Sequence, residues 1–139
     1  MSILDLPSVN VAKPSGASTA PNQSDTAAFT THWVRPSTAV VTVSGELDAA
    51  NVQQFTTYVV AHLNASSRLI LNLKRVDFFA ISCFPVLHNV NLRCMRENVY
   101  WTLLPGTATA RVLRVCDPEG LLPTSSSLAA AFSRHRNTA

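Results

Sequence analysis

Only four glycines occur in these 139 residues, and lysine is rarer still, at Lys13 and Lys74. Without clustered glycines there is no loop of the kind that cradles phosphates on backbone N–H groups. Charged side chains are sparse, at 14%. The formal charge of +3 comes from scattered arginines, with Arg134, His135 and Arg136 as the one tight cluster. A solvated C-terminal end accounts for that cluster without a nucleic-acid or membrane surface. No run reaches the ~18 apolar residues of a membrane span, and the N-terminus lacks the charged-then-apolar order of a signal peptide. Three cysteines are an odd number without metal-ligand spacing, which fits a reducing cytoplasm rather than a disulfide framework. The histidines fall on different elements with no carboxylate or cysteine at ligand spacing, so neither a metal nor another cofactor is expected. Ser82 has no evident His–Asp partner set, and an enzyme is not the expectation.

What is present is apolar. At 47% hydrophobic content the chain can bury a core as a single domain. Residues 1–27 carry Pro7, Pro14 and Pro21 among Ser, Ala, Thr and Asn, too little apolar surface to offset ordering entropy, and read as a flexible tail. Residues 28–136 read as the domain. Phe29–Val34 and Thr38–Ser44 are β-prone runs joined by Arg35-Pro36-Ser37, an antiparallel hairpin. Asp48 is a good N-cap for a helix whose apolar stripe is Val52, Phe55, Val59 and Leu63. A third strand spans Arg68–Leu73. A helix opens near Ser82, because Pro85 is tolerated only in a first turn. A fourth strand over Val99–Leu104 and a third helix from about Thr107 follow. Leu121-Leu122 is a candidate short strand, and Ser126 or Ser127 would cap a last helix from Leu128. Strand–helix–strand units impose parallel pairing with right-handed crossovers. The expected fold is α/β: one small mixed sheet of four to five strands, mostly parallel with an N-terminal antiparallel hairpin, packed with about four helices.

On a 100° wheel, Cys83, Val86, Leu87, Val90 and Cys94 share one side of the second helix and form its core stripe. Pro85, Asn89, Arg93 and Arg96 share a solvated side. Between them lie Phe84, His88, Leu92 and Met95, more apolar than a solvent face needs to be. Either neighbouring chain covers this group or it is a docking stripe beside Ser82.

Val43-Ser-Gly-Glu-Leu-Asp-Ala-Ala-Asn51 resembles the opening V-x-G-x-L-D-x-x-(N/T) of STAS domains. Leu69–Leu73 followed by Val76-Asp77-Phe78-Phe79-Ala80-Ile81-Ser82 resembles their central strand and the loop with the regulatory serine. Gly120-Leu121 and the SSSLAAAF stretch are similar to the close of that domain. The resemblance, over about residues 28–136, implies an anti-sigma factor antagonist. Such a protein binds an anti-sigma factor, often a serine kinase, and frees a sigma factor for transcription. It further implies that phosphorylation at Ser82 blocks binding and that a phosphatase reverses it, with Asp48 and Asn51 near the partner surface. The chain departs from the family pattern at Ala80, where an acidic residue is usual, and at Cys83, Phe84 and Pro85, where Gly, Leu and Gly are usual. Constitutive binding therefore stays open beside the phosphate switch.

The expected partner surface is Asp48, Asn51, Ser82, Phe84, His88, Leu92 and Met95, with no direct nucleic-acid or membrane contact. Cys94 and Cys116 lie toward the same end of the domain and form the better candidate redox pair. Cys83, at a helix N-terminus, would have a lowered thiol pKa if solvent reached it. A ligand- or redox-sensing module acting through a buried pocket or Cys83 is the alternative function.

Overall fold

A computed structural model describes residues 26–34 and 37–138, and the side chains among them up to 133. The expected tail, residues 1–27, lies outside this range except for its last two positions, and Ala27 is already paired with Gly45. Residues 35–36 of the expected turn and the basic side chains at 134–136 also lie outside it.

The elements are β1 (Ala27–Val34), β2 (Thr38–Leu47), α1 (Val52–Asn64), β3 (Arg68–Phe79), a 3-10 turn (Ile81–Cys83), α2 (Phe84–Glu97), β4 (Tyr100–Leu104), α3 (Gly106–Cys116) and α4 (Leu128–Thr138). The strands form one sheet in the order β1-β2-β3-β4. The β1–β2 pair is antiparallel, and β2–β3 and β3–β4 are parallel. This is the mixed sheet expected from the strand and helix order, with four strands. The Leu121-Leu122 strand does not form. Instead Thr124 bridges Leu103 in parallel, with the Leu103 N–H donating to Pro123 O and the Ser125 N–H to Leu103 O. Pro118 and Gly120 delay the return of the chain to the sheet, and Pro123 can still accept there although it cannot donate.

Burial follows the two periodicities. Leu69, Leu71 and Leu73 alternate along β3 and are fully buried against the stripe Phe55, Val59 and Leu63 of α1 and Val86, Leu87, Val90 and Cys94 of α2. The core side of α2 is thus the one its wheel predicts. The opposite sheet face is thinner: Val40, Ile70 and Leu104 pack with Ala131 and Phe132 of α4. Ser127 Oγ accepts from the Ala130 N–H at 3.1 Å and caps α4. Asn98, with φ of 59°, closes α2 in the left-handed conformation that Asn tolerates, and the Val99 N–H returns to Cys94 O.

β3 runs six residues past its predicted end. After Leu73 the buried positions become Val76 and Phe79, every third residue instead of every second. Two register shifts against β2 explain it. Thr42 pairs with Asn72 but Ser44 with Arg75, and Gly45 pairs with Val76 but Glu46 with Phe78. Each slip inserts one extra residue in β3 and resets which side chains face inward.

A hydrogen-bonded cluster fastens β1 to α1. The Tyr58 carbonyl can only accept, so His62 Nδ1 carries the proton and donates to it at 2.8 Å. His62 Nε2 then accepts from the Thr31 hydroxyl at 3.0 Å, and that oxygen accepts from the Tyr58 phenol at 2.7 Å. The Tyr58 and Trp33 rings pack on the imidazole.

Burial lowers the His62 pKa from 6.5, and the Tyr58 carbonyl only partly opposes this. Between the unfolded value near 6.5 and the lower folded value, the unfolded chain binds more protons. This contribution to stability is therefore complete above about pH 6.5 and is lost as pH falls toward the folded pKa. In urea unfolding, the stability advantage of the wild type over His62→Gln should shrink between pH 7.5 and 5.5. An advantage independent of pH would contradict the assignment.

Candidate functional site

Two loops meet at the carboxyl ends of the neighbouring parallel strands β2 and β3, the usual place for a site in such a sheet. The Ala80 N–H donates to Leu47 O at 2.9 Å, which holds the serine-bearing turn against the start of the Asp48 loop.

The Asp48 loop is organised by Asn51. Its Oδ1 accepts from the Asp48 N–H at 3.0 Å, and its Nδ2 donates to Glu46 O at 2.8 Å and Thr26 Oγ1 at 3.1 Å. Asn51 is 2% exposed. Asp48 Oδ1 accepts from the Ala50 N–H at 2.9 Å, an Asx-type turn. Two sequence expectations are corrected here. Asp48 does not cap α1, since the cap position is Asn51, and Asn51 is a buried brace rather than part of the exposed surface. Its three polar partners make burial worthwhile, because an amide left unpaired there would be costly.

Ser82 is exposed in the 3-10 turn before α2. It does not cap the helix. The cap position is Cys83, and no side chain bonds there. The next residue in the chain, Cys83, presents its thiol to the core. That thiol is buried, and burial is the main reason its pKa is raised, followed by the negative charge of Asp48. The lowered pKa expected at a helix N-terminus does not arise, because solvent does not reach the sulfur. Among the described residues the one ion pair is Arg93–Glu97 on α2.

Beside Ser82 stand two exposed apolar side chains absent from the expected surface: Phe78 (51%) and Ile81 (61%). The Phe78-Phe79 doublet was the available signal, since consecutive strand residues face opposite ways. The expected α2 stripe is only partly free. Phe84 is half-buried against the core, whereas His88, Leu92 and Met95 are exposed. Met95 lies fourteen residues beyond Ile81, about 20 Å along the helix at 1.5 Å per residue, so the stripe leads away from the serine.

Cys83, Cys94 and Cys116 are free thiols, the first two buried. Burial, with Glu97 adding to it, pushes Cys94 up to about 12. Among the described residues no cluster of His, Cys, Asp or Glu could hold a metal, and no helix is long and apolar enough to cross a membrane.

The fold and the paired loops define a small mixed α/β domain that displays a serine at the carboxyl end of its sheet. The family model described as the STAS domain matches residues 33–131, and the chain belongs to that family. Osmosensory protein A of Mycobacterium tuberculosis (strain ATCC 25618 / H37Rv) is 29% identical over 93 residues, 64% of this chain. The match takes in 59% of that relative's length. An anti-sigma factor antagonist from Mycobacterium paratuberculosis superposes with a TM-score of 0.72 at 19% identity, covering 84% of this chain and 99% of the other. The anti-sigma factor antagonist SpoIIAA in its unphosphorylated form gives 0.65 at 20% identity, over 79% and 97% of the two chains. The Bacillus cell fate determinant SpoIIAA in the phosphorylated form gives 0.58 at 22%, over 77% and 98%. At these identities the superpositions show a shared fold.

The raised thiol pKa values give a direct test of the redox alternative. In native protein at pH 7.5, Cys83 and Cys94 should react with a thiol reagent far more slowly than in urea-unfolded protein, by a factor of at least about 100. Rapid native labelling of Cys83 would restore that alternative.

Proposed function

We propose that this domain is an anti-sigma factor antagonist. It binds an anti-sigma factor through the rim formed by Asp48, Phe78, Ile81 and Ser82, and thereby frees a sigma factor to direct transcription in the cytoplasm. It acts by binding, without catalysis. The observation that carries the reading is the exposed Ser82, in the same segment as the exposed Phe78 and Ile81 and in a turn that Ala80 ties to the start of the Asp48 loop, at the end of a STAS sheet. Apolar anchors surrounded by polar groups are the usual make-up of a protein-binding patch.

Regulation is by phosphorylation of Ser82, with a serine kinase, which can be the anti-sigma factor itself, adding the group and a phosphatase removing it. A phosphoryl group brings about −1.5 to −2 charges at neutral pH. Next to Asp48 it meets a like charge, so it stays hydrated and obstructs an apolar contact. Ser82 is exposed and caps nothing, so the fold tolerates the added charge. His88 extends the surface along α2, with Leu92 and Met95 as its distal part. Cys94 and Cys116 are left as reduced thiols.

Pull-down and titration with candidate anti-sigma factors test this. Phe78→Ser or Ile81→Ser should each weaken binding at least tenfold, the loss of about 1.4 kcal/mol that a buried apolar anchor readily supplies. Ser82→Asp should do the same while thermal stability stays close to wild type. Unchanged binding with Asp at position 82 would exclude regulation by charge there. By contrast, Asn51→Ala should cost about 2–4 kcal/mol of unfolding free energy, because it removes three buried hydrogen bonds.

A further inference from the structure

The sheet has two edges, and the chain treats them differently. The β4 edge is taken up by residues 123–125: the Leu103 N–H donates to Pro123 O, the Ser125 N–H donates to Leu103 O, and Thr124 bridges Leu103. β1 forms the other edge, with β2 as its one neighbour among the described residues. Its outward groups follow from the register. The Ser37 and Leu47 carbonyls accept from the Arg68 and Ala80 N–H groups on the β3 side, whereas the Glu46 N–H donates to Thr26 O on the β1 side. Odd-numbered residues of β2 thus bond toward β3 and even-numbered ones toward β1. Even residues of β1 lie opposite even residues of β2, Thr30 opposite Thr42 and His32 opposite Val40. Phe29, Thr31 and Trp33 therefore turn their N–H and C=O groups away from the sheet.

Edge strands are ordinarily protected by lysine, proline, an inward-pointing charge or brevity. β1 has eight residues, Ala-Ala-Phe-Thr-Thr-His-Trp-Val, without lysine, proline or a carboxylate. Helix α1, whose Phe55 and Tyr58 stack with Phe29, carries no Asp, Glu, Lys or Arg either. Two copies brought together along this edge therefore set no like charges of these elements face to face. The edge is also held in place from behind. Thr31 bonds Tyr58 and His62, and the Trp33 ring packs on His62 while remaining 49% exposed. A strand already fixed in its extended form has little freedom left to lose on pairing.

We propose that β1 pairs antiparallel with β1 of a second copy of this chain, with Thr31 on the two-fold axis. A strand is complementary to itself about an axis perpendicular to its sheet, and the same patch then serves both copies. With Thr31 opposite Thr31, Phe29 falls opposite Trp33 of the other copy on both sides of the axis. Phe29, Thr31 and Trp33 of each strand all exchange hydrogen bonds. Aromatic and Thr–Thr pairs of this kind stabilise neighbouring strands. Moving the axis to Thr30 sets Trp33 against Ala27 and loses the aromatic pairs, and moving it to His32 carries Phe29 past the end of the opposing strand. One continuous sheet then runs through both copies. Because the axis reverses strand direction, the two Ser82 turns face opposite ways and both stay open, so the dimer is bivalent for whatever the rim binds. The pairing itself does not rest on that partner's identity.

Sedimentation equilibrium of the full-length chain over about 1–500 μM should show the mass rising from one chain to two, with the dimer of Trp33→Lys at least about tenfold weaker. A wild type that stays monomeric across this range overturns the proposal, as does association that Trp33→Lys leaves intact. Because Trp33 also packs on His62, a cross-link supplies a second reading with the tryptophan in place. Cys83 and Cys94 are buried, so a Cys116→Ser background removes the more accessible native thiol. In that background Thr31→Cys should form an intermolecular disulfide under mild oxidation, since hydrogen-bonded partners lie about 5.5 Å apart at Cα, within bridging distance. Thr30→Cys, at a more exposed position, should cross-link at least about tenfold more slowly, because its counterpart lies diagonally at about 7–8 Å. Cross-linking at position 30 as fast as at 31, or faster, overturns the pairing.

Discussion

The Asn51 side chain is the fastening on which the rim depends. One amide joins the end of β2, the turn before α1 and the residue that leads into β1, at Glu46, Asp48 and Thr26. Through the Leu47–Ala80 hydrogen bond this bracing extends to the serine turn. The shape of the displayed surface thus rests on a residue that is not itself displayed. Each of its bonds is modest alone, but burial makes losing them expensive, which favours this loop conformation over ones that break them.

Around this fixed loop the rim combines opposed chemistries. Phe78 and Ile81 favour removal from water, while Asp48 and the Ser82 hydroxyl favour staying in it. The rim thus sets exposed apolar side chains among groups that keep their water. The buried Cys83 lies under this rim as packing, with its thiol held in the protonated form by the apolar surroundings and the Asp48 charge.

Much of the architecture was legible because each helix and strand buries one face. The stripe Val52, Phe55, Val59 and Leu63 located α1, and Cys83, Val86, Leu87, Val90 and Cys94 located the inner side of α2. Pro85 placed the start of α2 to within a residue or so, since a proline has few permitted places near a helix end. The second half of β3 was not legible. Its alternation is broken by two bulges, and a period of three resembles neither a regular strand nor a helix. For the same reason Phe78 was missed as a surface residue, while Phe84, assigned to the exposed stripe, turned out to pack against the core.

Sequence alone determined the class of fold, the order of its elements and the position of Ser82 at a strand-to-helix turn. Those follow from local periodicity and from where proline can sit. Only the tertiary structure decided that Asn51 turns inward, that Ser82 leaves the helix end uncapped, and that Phe78 faces water beside the entry of the chain. These outcomes depend on contacts between segments about 25 or more residues apart, Thr26 with Asn51 and Leu47 with Ala80, and no local pattern of side chains encodes which groups such contacts bring together.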